Sequence, residues 1–392
     1  MYIVHETQRD SSPPAVNPMT DWGWDEFFER TFAILGSPAD DLADRPAGDD
    51  GLVAARVIEV RRGSYLVSRP DGGNAAVEDE AVLSGNAMGR LAAEGDAPAV
   101  GDWLAGRKTE GGPFVVAAIL PRKTAIARKA PGDTGHDKVE RQVLAANVDT
   151  AFLVCAAGED FNPRRIERYA AVIRESGVEP VVVVTKADLA GDGILDLVAQ
   201  ASAACPGAPA FAVSARDGRG MPAFERCLGP GKTVVLLGSS GSGKSTLLNA
   251  LAGRELAATR EVKAYDQRGR HTTTARTLYR LPSGALVIDT PGLRELQLWA
   301  DGGGVDSVFP EIEETAASCR FPDCTHGVEP GCAVRAAVEA GTIDAERWES
   351  WKKLKRELAF LETRMDPKAM REQKAEWKRR NRRIKEIQRQ RR

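Results

Sequence analysis

The chain has 392 residues, 42% hydrophobic and 28% charged, with six cysteines and a formal net charge of −2. That length accommodates two or three domains, each with its own core. No basic start runs into an apolar stretch and no run of about eighteen apolar residues occurs, so the sequence predicts no signal peptide, no membrane partner and a cytoplasmic monomer.

Residues 1–50 are a predicted acidic, mostly flexible leader rich in Asp, Pro and Ser. Within it DWGWDEFFERTF (21–32) spaces Trp24, Phe27, Phe28 and Phe32 as one face of a short amphipathic helix. Residues 51–120 then change to short β-type runs: GLVAARVIEV, GSYLVSR, NAAVEDE, PAVGDWLAGR and GPFVVAAIL. Five such runs separated by Gly, Asp and Pro predict a small closed barrel of the OB-fold type. Residues 121–142 are a polar, basic linker with Arg122, Lys123, Arg128 and Lys129.

From 143 to 300, near-continuous apolar runs (AFLVCAA, VEPVVVVTKADL, APAFAVSAR, KTVVLLGSS) alternate with helical stretches such as NPRRIERYAAVIRESG. This pattern predicts a parallel sheet covered on both faces. TLYRLPSGALVIDT (277–290) reads as a hairpin turning at Pro-Ser-Gly. Residues 301–366 hold a cysteine cluster and a helix at 343–365, with Trp348, Trp351, Leu354, Leu358, Leu361 and Met365 three and four apart. The tail, 367–392, begins at a Pro; from 368 onward twelve Lys or Arg face three Glu, a net +9 that leaves −11 for the rest. Such separation suits a basic arm directed at a polyanion.

Gly238, Gly243, Lys244 and Ser245 fit G-x-x-x-x-G-K-[ST], preceded by TVVLL and followed by the helical run STLLNALAG. In that context the backbone N–H groups of Gly238, Ser239, Ser240, Gly241, Ser242, Gly243, Lys244, Ser245 and Thr246 surround phosphate at a helix N-terminus. Lys244 is placed to reach the β and γ phosphates, and Ser245 to bind Mg²⁺. DTPG ends the next strand, with Asp289 toward the Mg²⁺ shell and Gly292 toward the γ phosphate. Base choice falls to TKAD: the Asp188 carboxylate can accept from N1–H and N2 of guanine, the Lys186 stem can lie along the ring, and Thr185 and Ala187 complete the motif. Ser214 and Ala215, in AFAVSA, can offer a backbone N–H to the guanine carbonyl.

TKAD stands before the P-loop, although a base-reading motif of this kind normally follows it. Base motif, SA, P-loop, HTTT and DTPG give the cycle of a GTPase opened at a different point, a circular permutation. GRHTTTAR (269–276) takes the place of the first switch, with Thr273 favoured over Thr272 and Thr274 as a Mg²⁺ ligand. Leu293 stands where many GTPases carry the glutamine that orients water, and His271 is the nearest candidate to replace it. Cys319, Cys324, His326 and Cys332, in CRFPDCTHGVEPGC, are a closed tetrahedral donor set for one structural Zn²⁺.

Taken together the predicted fold class is an α/β P-loop GTPase with a permuted parallel sheet, an N-terminal OB-fold β-barrel and a C-terminal zinc-binding helical domain. The OB-like domain, TKAD before GSSGSGKST, GRHTTT, DTPG, CRFPDCTHGVEPGC, VGDW (100–103) and QVLAANVDT (142–150) resemble the RsgA/YjeQ family of ribosome small-subunit-dependent GTPases. The resemblance covers about residues 50–365. It implies GTP hydrolysis stimulated by the small (30S) ribosomal subunit, contact with its 16S rRNA during late maturation, zinc on the four residues named above, and a catalytic part for His271 beside Lys244 and Thr273. A competing reading is an RNA-binding assembly checkpoint factor that uses GTP as a switch with incidental turnover. Thr185 departs from the usual Asn of the base motif, which predicts weaker bracing of the loop, and the leader and tail lie outside the family core.

Overall fold

The computed structural model describes residues 18–35, 51–73, 75–129, 141–256, 276–289, 298 and 303–365. After a helical turn at Thr20–Trp22 comes α1 (Glu26–Leu35), followed by β1 (Val53–Val60), β2 (Tyr65–Pro70) and β3 (Ala76–Leu83). Next are α2 (Gly85–Glu94), β4 (Trp103–Lys108) and β5 (Phe114–Ile119). The strands run in the order β1-β2-β3-β5-β4, and β4 pairs back onto β1, so the sheet closes into a five-stranded barrel. All five predicted strands are there. The helix between β3 and β4 was not predicted; Ser84 caps its start by accepting from Ala87 N–H, and Gly95 ends it in the left-handed region.

The predicted linker contains secondary structure of its own. β6 (Ala125–Lys129) pairs with β7 (Arg141–Ala146) as a two-stranded sheet whose inner side chains, Ile126 and Leu144, are buried. Charged Arg128 and Lys129 masked this strand in the sequence.

The nucleotide-domain sheet follows, with β8 (Thr150–Ala156), α3 (Pro163–Glu175), β9 (Glu179–Thr185), α4 (Ile194–Ala204) and β10 (Ala210–Ala212). Then come α5 (Met221–Glu225), β11 (Thr233–Leu237), α6 (Lys244–Ala252), β12 (Thr277–Arg280) and β13 (Leu286–Asp289). The order is β10-β9-β8-β11-β13-β12, parallel throughout except for the β12–β13 hairpin. Alternate residues serve opposite faces: Leu153, Val182, Val184, Val235 and Ile288 pack toward α3, while Phe152, Val181, Val183, Val234 and Val287 pack with Phe224 and Leu247. Two covered faces are why these strands read as unbroken apolar runs.

Glu59 of β1 pairs with Thr277 of β12, so the barrel and the parallel sheet are continuous. The leader helix is part of this joint: Trp24 and Phe28 are buried against Trp103, the Trp24 and Trp103 rings lying 4.7 Å apart edge to face.

The C-terminal region comprises α7 (Gly303–Val308), α8 (Pro310–Ala316), α9 (Ala333–Glu339) and α10 (Ala345–Met365). It is fixed to α3 by charge pairs: Arg168 forks onto Glu357 with two 2.7 Å bonds, Arg164 reaches Asp344 at 2.8 Å, and Arg347 joins Glu311 to the buried Glu167. Among the described residues no helix is long and apolar enough to cross a membrane.

Candidate functional site: a nucleotide cleft and a sulfur-rich centre

Three loops meet at the C-terminal ends of the parallel strands: Thr185–Asp188 after β9, Ser214–Ala215 after β10, and Gly238–Gly243 after β11. This edge is where open α/β sheets bind ligands. β9 and β11 both flank β8, so the base motif and the phosphate loop are separated by a single strand despite the 57 positions between Thr185 and Ser242.

The phosphate loop turns at Gly241 and Gly243, with φ of 83° and 90°. Gly238 cannot carry a side chain, because a Cβ there would run into the carbonyl oxygen of Val154. The Lys244 ammonium folds back over the loop, donating to the carbonyls of Gly238 at 2.8 Å and Ser239 at 2.7 Å. Ser245 and Thr246 open α6, and Asp289 ends β13, which pairs in parallel register with β11. Ser239 and Ser240 form the outer part of the loop, and Ser242 is fully buried.

Lys186 sits in the left-handed region, φ 57°, which turns the chain sharply after β9. Ala187 N–H then donates to Val213 O at 3.2 Å, holding the base motif against the strand that leads into Ser214. Asp188 is half-buried beside this contact. The Ser214–Gly220 loop is closed by its own bonds: Ser214 N–H donates to Arg219 O at 2.9 Å, and Gly218 N–H to Ser214 O at 2.9 Å. Asp217 and Arg219 pair on the outside, where the guanidinium holds the carboxyl well below its usual range. Arg219 also lies within electrostatic reach of Asp188. This pair was not predicted, although D-G-R-G, a tight turn carrying opposite charges, marks it.

Thr185, where Asn is usual, makes a bracing bond of its own: its hydroxyl donates to the carbonyl of Ser242 at 2.6 Å. His271, Thr272, Thr273, Thr274, Gly292 and Leu293 lie outside the described residues.

The second centre gathers Cys319, Cys324, His326 and Cys332, whose donor atoms all lie within 4.8 Å of one another. His326 Nδ1 is 3.5 Å from the sulfurs of Cys319 and Cys332. Backbone N–H groups already point at the sulfurs: Ala333 to Cys319 at 3.3 Å and Arg335 to Cys332 at 3.4 Å, the latter at the start of α9. Desolvation and the adjacent Cys332 and Cys319 push the Cys324 thiol up to about 11, as expected for crowded sulfurs that a cation would relieve. His326 packs its ring edgewise on Trp348 and Trp351, at 6.0 and 5.8 Å. Three sulfurs and one imidazole fit tetrahedral zinc and leave no open position for catalysis.

The RsgA GTPase family model matches residues 119–299. The chain is 45% identical over 367 residues to the small ribosomal subunit biogenesis GTPase RsgA of Opitutus terrae, covering 91% of this chain and 94% of that protein. RsgA of Streptomyces avermitilis is 40% identical over 365 residues, covering 93% and 92%. Among solved structures, YjeQ from Thermotoga maritima superposes with a TM-score of 0.57 at 25% identity, covering 79% of this chain and 99% of that one. YloQ, a circularly permuted GTPase, shares the fold with a TM-score of 0.55 at 24% identity, covering 81% and 98%. With identity of this level over nearly its whole length, and a base motif that precedes its phosphate loop, the chain belongs to the RsgA GTPase family.

Proposed function

We propose that the protein hydrolyses GTP in the biogenesis of the small ribosomal subunit, binding that subunit and its rRNA in the cytoplasm as a monomer. The observation that carries the nucleotide part is the meeting of TKAD and the phosphate loop on either side of β8, joined by the Thr185–Ser242 hydrogen bond. On GTP binding the Lys244 ammonium leaves the Gly238 and Ser239 carbonyls for the β and γ phosphates, while loop N–H groups take the remaining oxygens. Ser245 and Asp289, with Thr273, are the residues we assign to Mg²⁺, which would neutralise charge on those phosphates. Leu293 cannot orient an attacking water, so hydrolysis by the free protein is slow and His271 takes that part when the subunit is bound.

Guanine selectivity rests on Asp188, which accepts from two donors that adenine lacks. Asp188→Asn is expected to weaken GDP binding about a hundredfold or more and to turn preference toward a xanthine nucleotide, whose C2 carbonyl needs a donor. Competition of GDP, XDP and ADP against a fluorescent guanine nucleotide checks this.

The test of the whole reading is GTP hydrolysis by the purified protein alone, with small subunits, and with large subunits, using ATP as a second substrate. Stimulation confined to small subunits and GTP is the expected result; equal rates in all arms would leave a nucleotide switch with a different partner. The runner-up, a checkpoint factor with incidental turnover, requires normal subunit maturation by Lys244→Ala.

A further inference from the structure

We infer that a cavity between the leader, the barrel and the N-terminal ends of the parallel strands binds a small phosphate ester. The cavity measures about 350 Å³. Its walls come from the leader, from Arg56 of β1, from Lys123 just before β6, and from the turns that open β8 and β11, where Asp149 and Lys232 stand. It therefore lies at the opposite end of the sheet from the nucleotide cleft and shares no residue with it. Small-molecule sites occupy roughly 300–1,000 Å³ and favour such boundaries between domains.

The charged groups around the cavity differ in what they have already spent. Asp149 uses both carboxylate oxygens, accepting from Lys232 Nζ at 2.9 Å and from Thr233 N–H at 2.8 Å. Asp25 does the same, with Phe27 N–H at 3.1 Å and with the Lys123 ammonium. An ammonium has three N–H groups, and among the described residues each lysine gives one to its aspartate. A guanidinium has five, and those of Arg56 make four bonds, to Gly101, Trp22, Asn147 and Thr233. The remaining proton is on Nη1, where Gly23 leaves room: a Cβ on that glycine would stand 2.5 Å from the nitrogen. The two lysine–aspartate pairs cancel in charge, and Arg56 is left as a buried cation facing the same space. Unspent donors on three cations call for an acceptor-rich anion. They suit the three terminal oxygens of a phosphate monoester better than the two coplanar oxygens of a carboxylate. Inorganic phosphate would leave most of the volume empty, whereas Trp24, Phe28 and Pro230 in the wall give an esterified body an apolar surface to cover.

The test uses the full chain with GDP in excess to fill the nucleotide cleft, and phenyl phosphate as the probe, with inorganic phosphate and phenol as its two halves. In calorimetry phenyl phosphate is expected to bind once per chain, about tenfold or more tighter than either half, and to weaken as salt is added. Hydrogen exchange is expected to slow across 19–28 and 230–233 when it binds. Lys123→Glu and Lys232→Glu each reverse one charge at the cavity, and each is expected to weaken binding about tenfold, by the worth of one hydrogen bond to a charged group. Both variants keep the fold, since the lysine side chains are 37% and 63% exposed and such surface pairs contribute at most about 1 kcal/mol. Their affinity for GDP stays within about twofold of the parent, because β11 puts about 13 Å between the cavity and the phosphate loop. Phenyl phosphate binding no better than inorganic phosphate or phenol would overturn the assignment, as would unchanged affinity in both lysine variants. Protection of 238–246 in place of the leader would put the ester in the phosphate loop and overturn it as well.

Discussion

Stripping the metal with a strong chelator, or replacing Cys324 by Ser, is expected to unfold residues 319–343 while leaving the parallel sheet intact. Besides Cys332, only Val334 and Ile343 of this segment are buried apolar side chains. Val328 is 93% exposed and Phe321 38%, so the loop buries few apolar side chains of its own, and α9 has only seven residues. His326 adopts φ 58°, a left-handed conformation that costs a non-glycine residue about 1 kcal/mol or more unless something enforces it. Four donors within 4.8 Å supply that enforcement when zinc binds. Structural zinc contributes about 10–16 kcal/mol of apparent binding energy in zinc-finger peptides, far more than the contacts of this loop could replace. α8 and α10 are held independently, by Arg347 across Glu311 and Glu167 and by the Arg168–Glu357 fork, so the loss should stop at the loop and α9. The measurement is hydrogen exchange with tryptophan fluorescence, because Trp348 and Trp351 are stacked at 5.0 Å under the His326 ring. Faster exchange confined to 319–343, a changed fluorescence and recovery on adding Zn²⁺ are the expected signs. Unaltered exchange after complete metal removal would mean that the cysteines are packing residues.

The parts legible in the sequence were those whose chemistry is carried by contiguous strings. GSSGSGKST, TKAD and CRFPDCTHGVEPGC each bring their groups together within one loop, so spacing alone places them, and the five barrel strands are punctuated by Gly, Asp and Pro. What stayed hidden depends on distant partners. β6 looked like linker because it carries Arg128 and Lys129 and its mate, β7, lies beyond the segment 130–140. α2 carries only Ala87 and Leu91 as buried apolar residues, too sparse a stripe to signal a helix, although Ser84 and Gly95 mark its ends. The Thr185 bond to Ser242 was not foreseen because its partner is a backbone carbonyl, and a carbonyl's direction leaves no trace in residue identity. The leader helix was recognisable from its aromatic spacing, but that it closes over the barrel depends on Trp103, far along the chain from Trp24 and Phe28.

Arg56 is the extreme case, and its replacement by Ala is expected to destabilise the joint between leader, barrel and nucleotide domain by about 3 kcal/mol or more. In the sequence it is one of two charges, with Glu59, inside VAARVIEV, and reads as an outward position in a strand. In the structure it is 1% exposed, and burial lowers its guanidinium to about 10, still charged at neutral pH. Among the described residues no carboxylate bonds it. It donates instead to Gly101 O at 3.3 Å in the barrel, to Trp22 O in the leader, to Asn147 O at 3.3 Å, and to Thr233 Oγ1 at 2.8 Å where β11 begins. The planar fork suits acceptors on several sides, and a lysine's single ammonium could not span them. Truncation leaves the Trp22 and Asn147 carbonyls without this donor, at about 1–3 kcal/mol for each one left unsatisfied, and opens a void under Trp103, which the guanidinium covers at 5.4 Å. At Gly23 of the leader a side chain would collide with the same guanidinium and with Gly231 O. The leader should therefore detach first. Hydrogen exchange is expected to rise across 19–35 and at the start of β11 in Arg56→Ala, with a lower melting temperature, while Arg56→Lys recovers only part of the loss. If Arg56→Ala melts and exchanges like the parent, the four bonds carry no net stability and the three segments are held by their aromatic packing alone. Because β11 runs from Thr233 straight into the phosphate loop, the same substitution gives a direct measure of how far the barrel's attachment is felt at the nucleotide: GDP release from Arg56→Ala should be faster than from the parent.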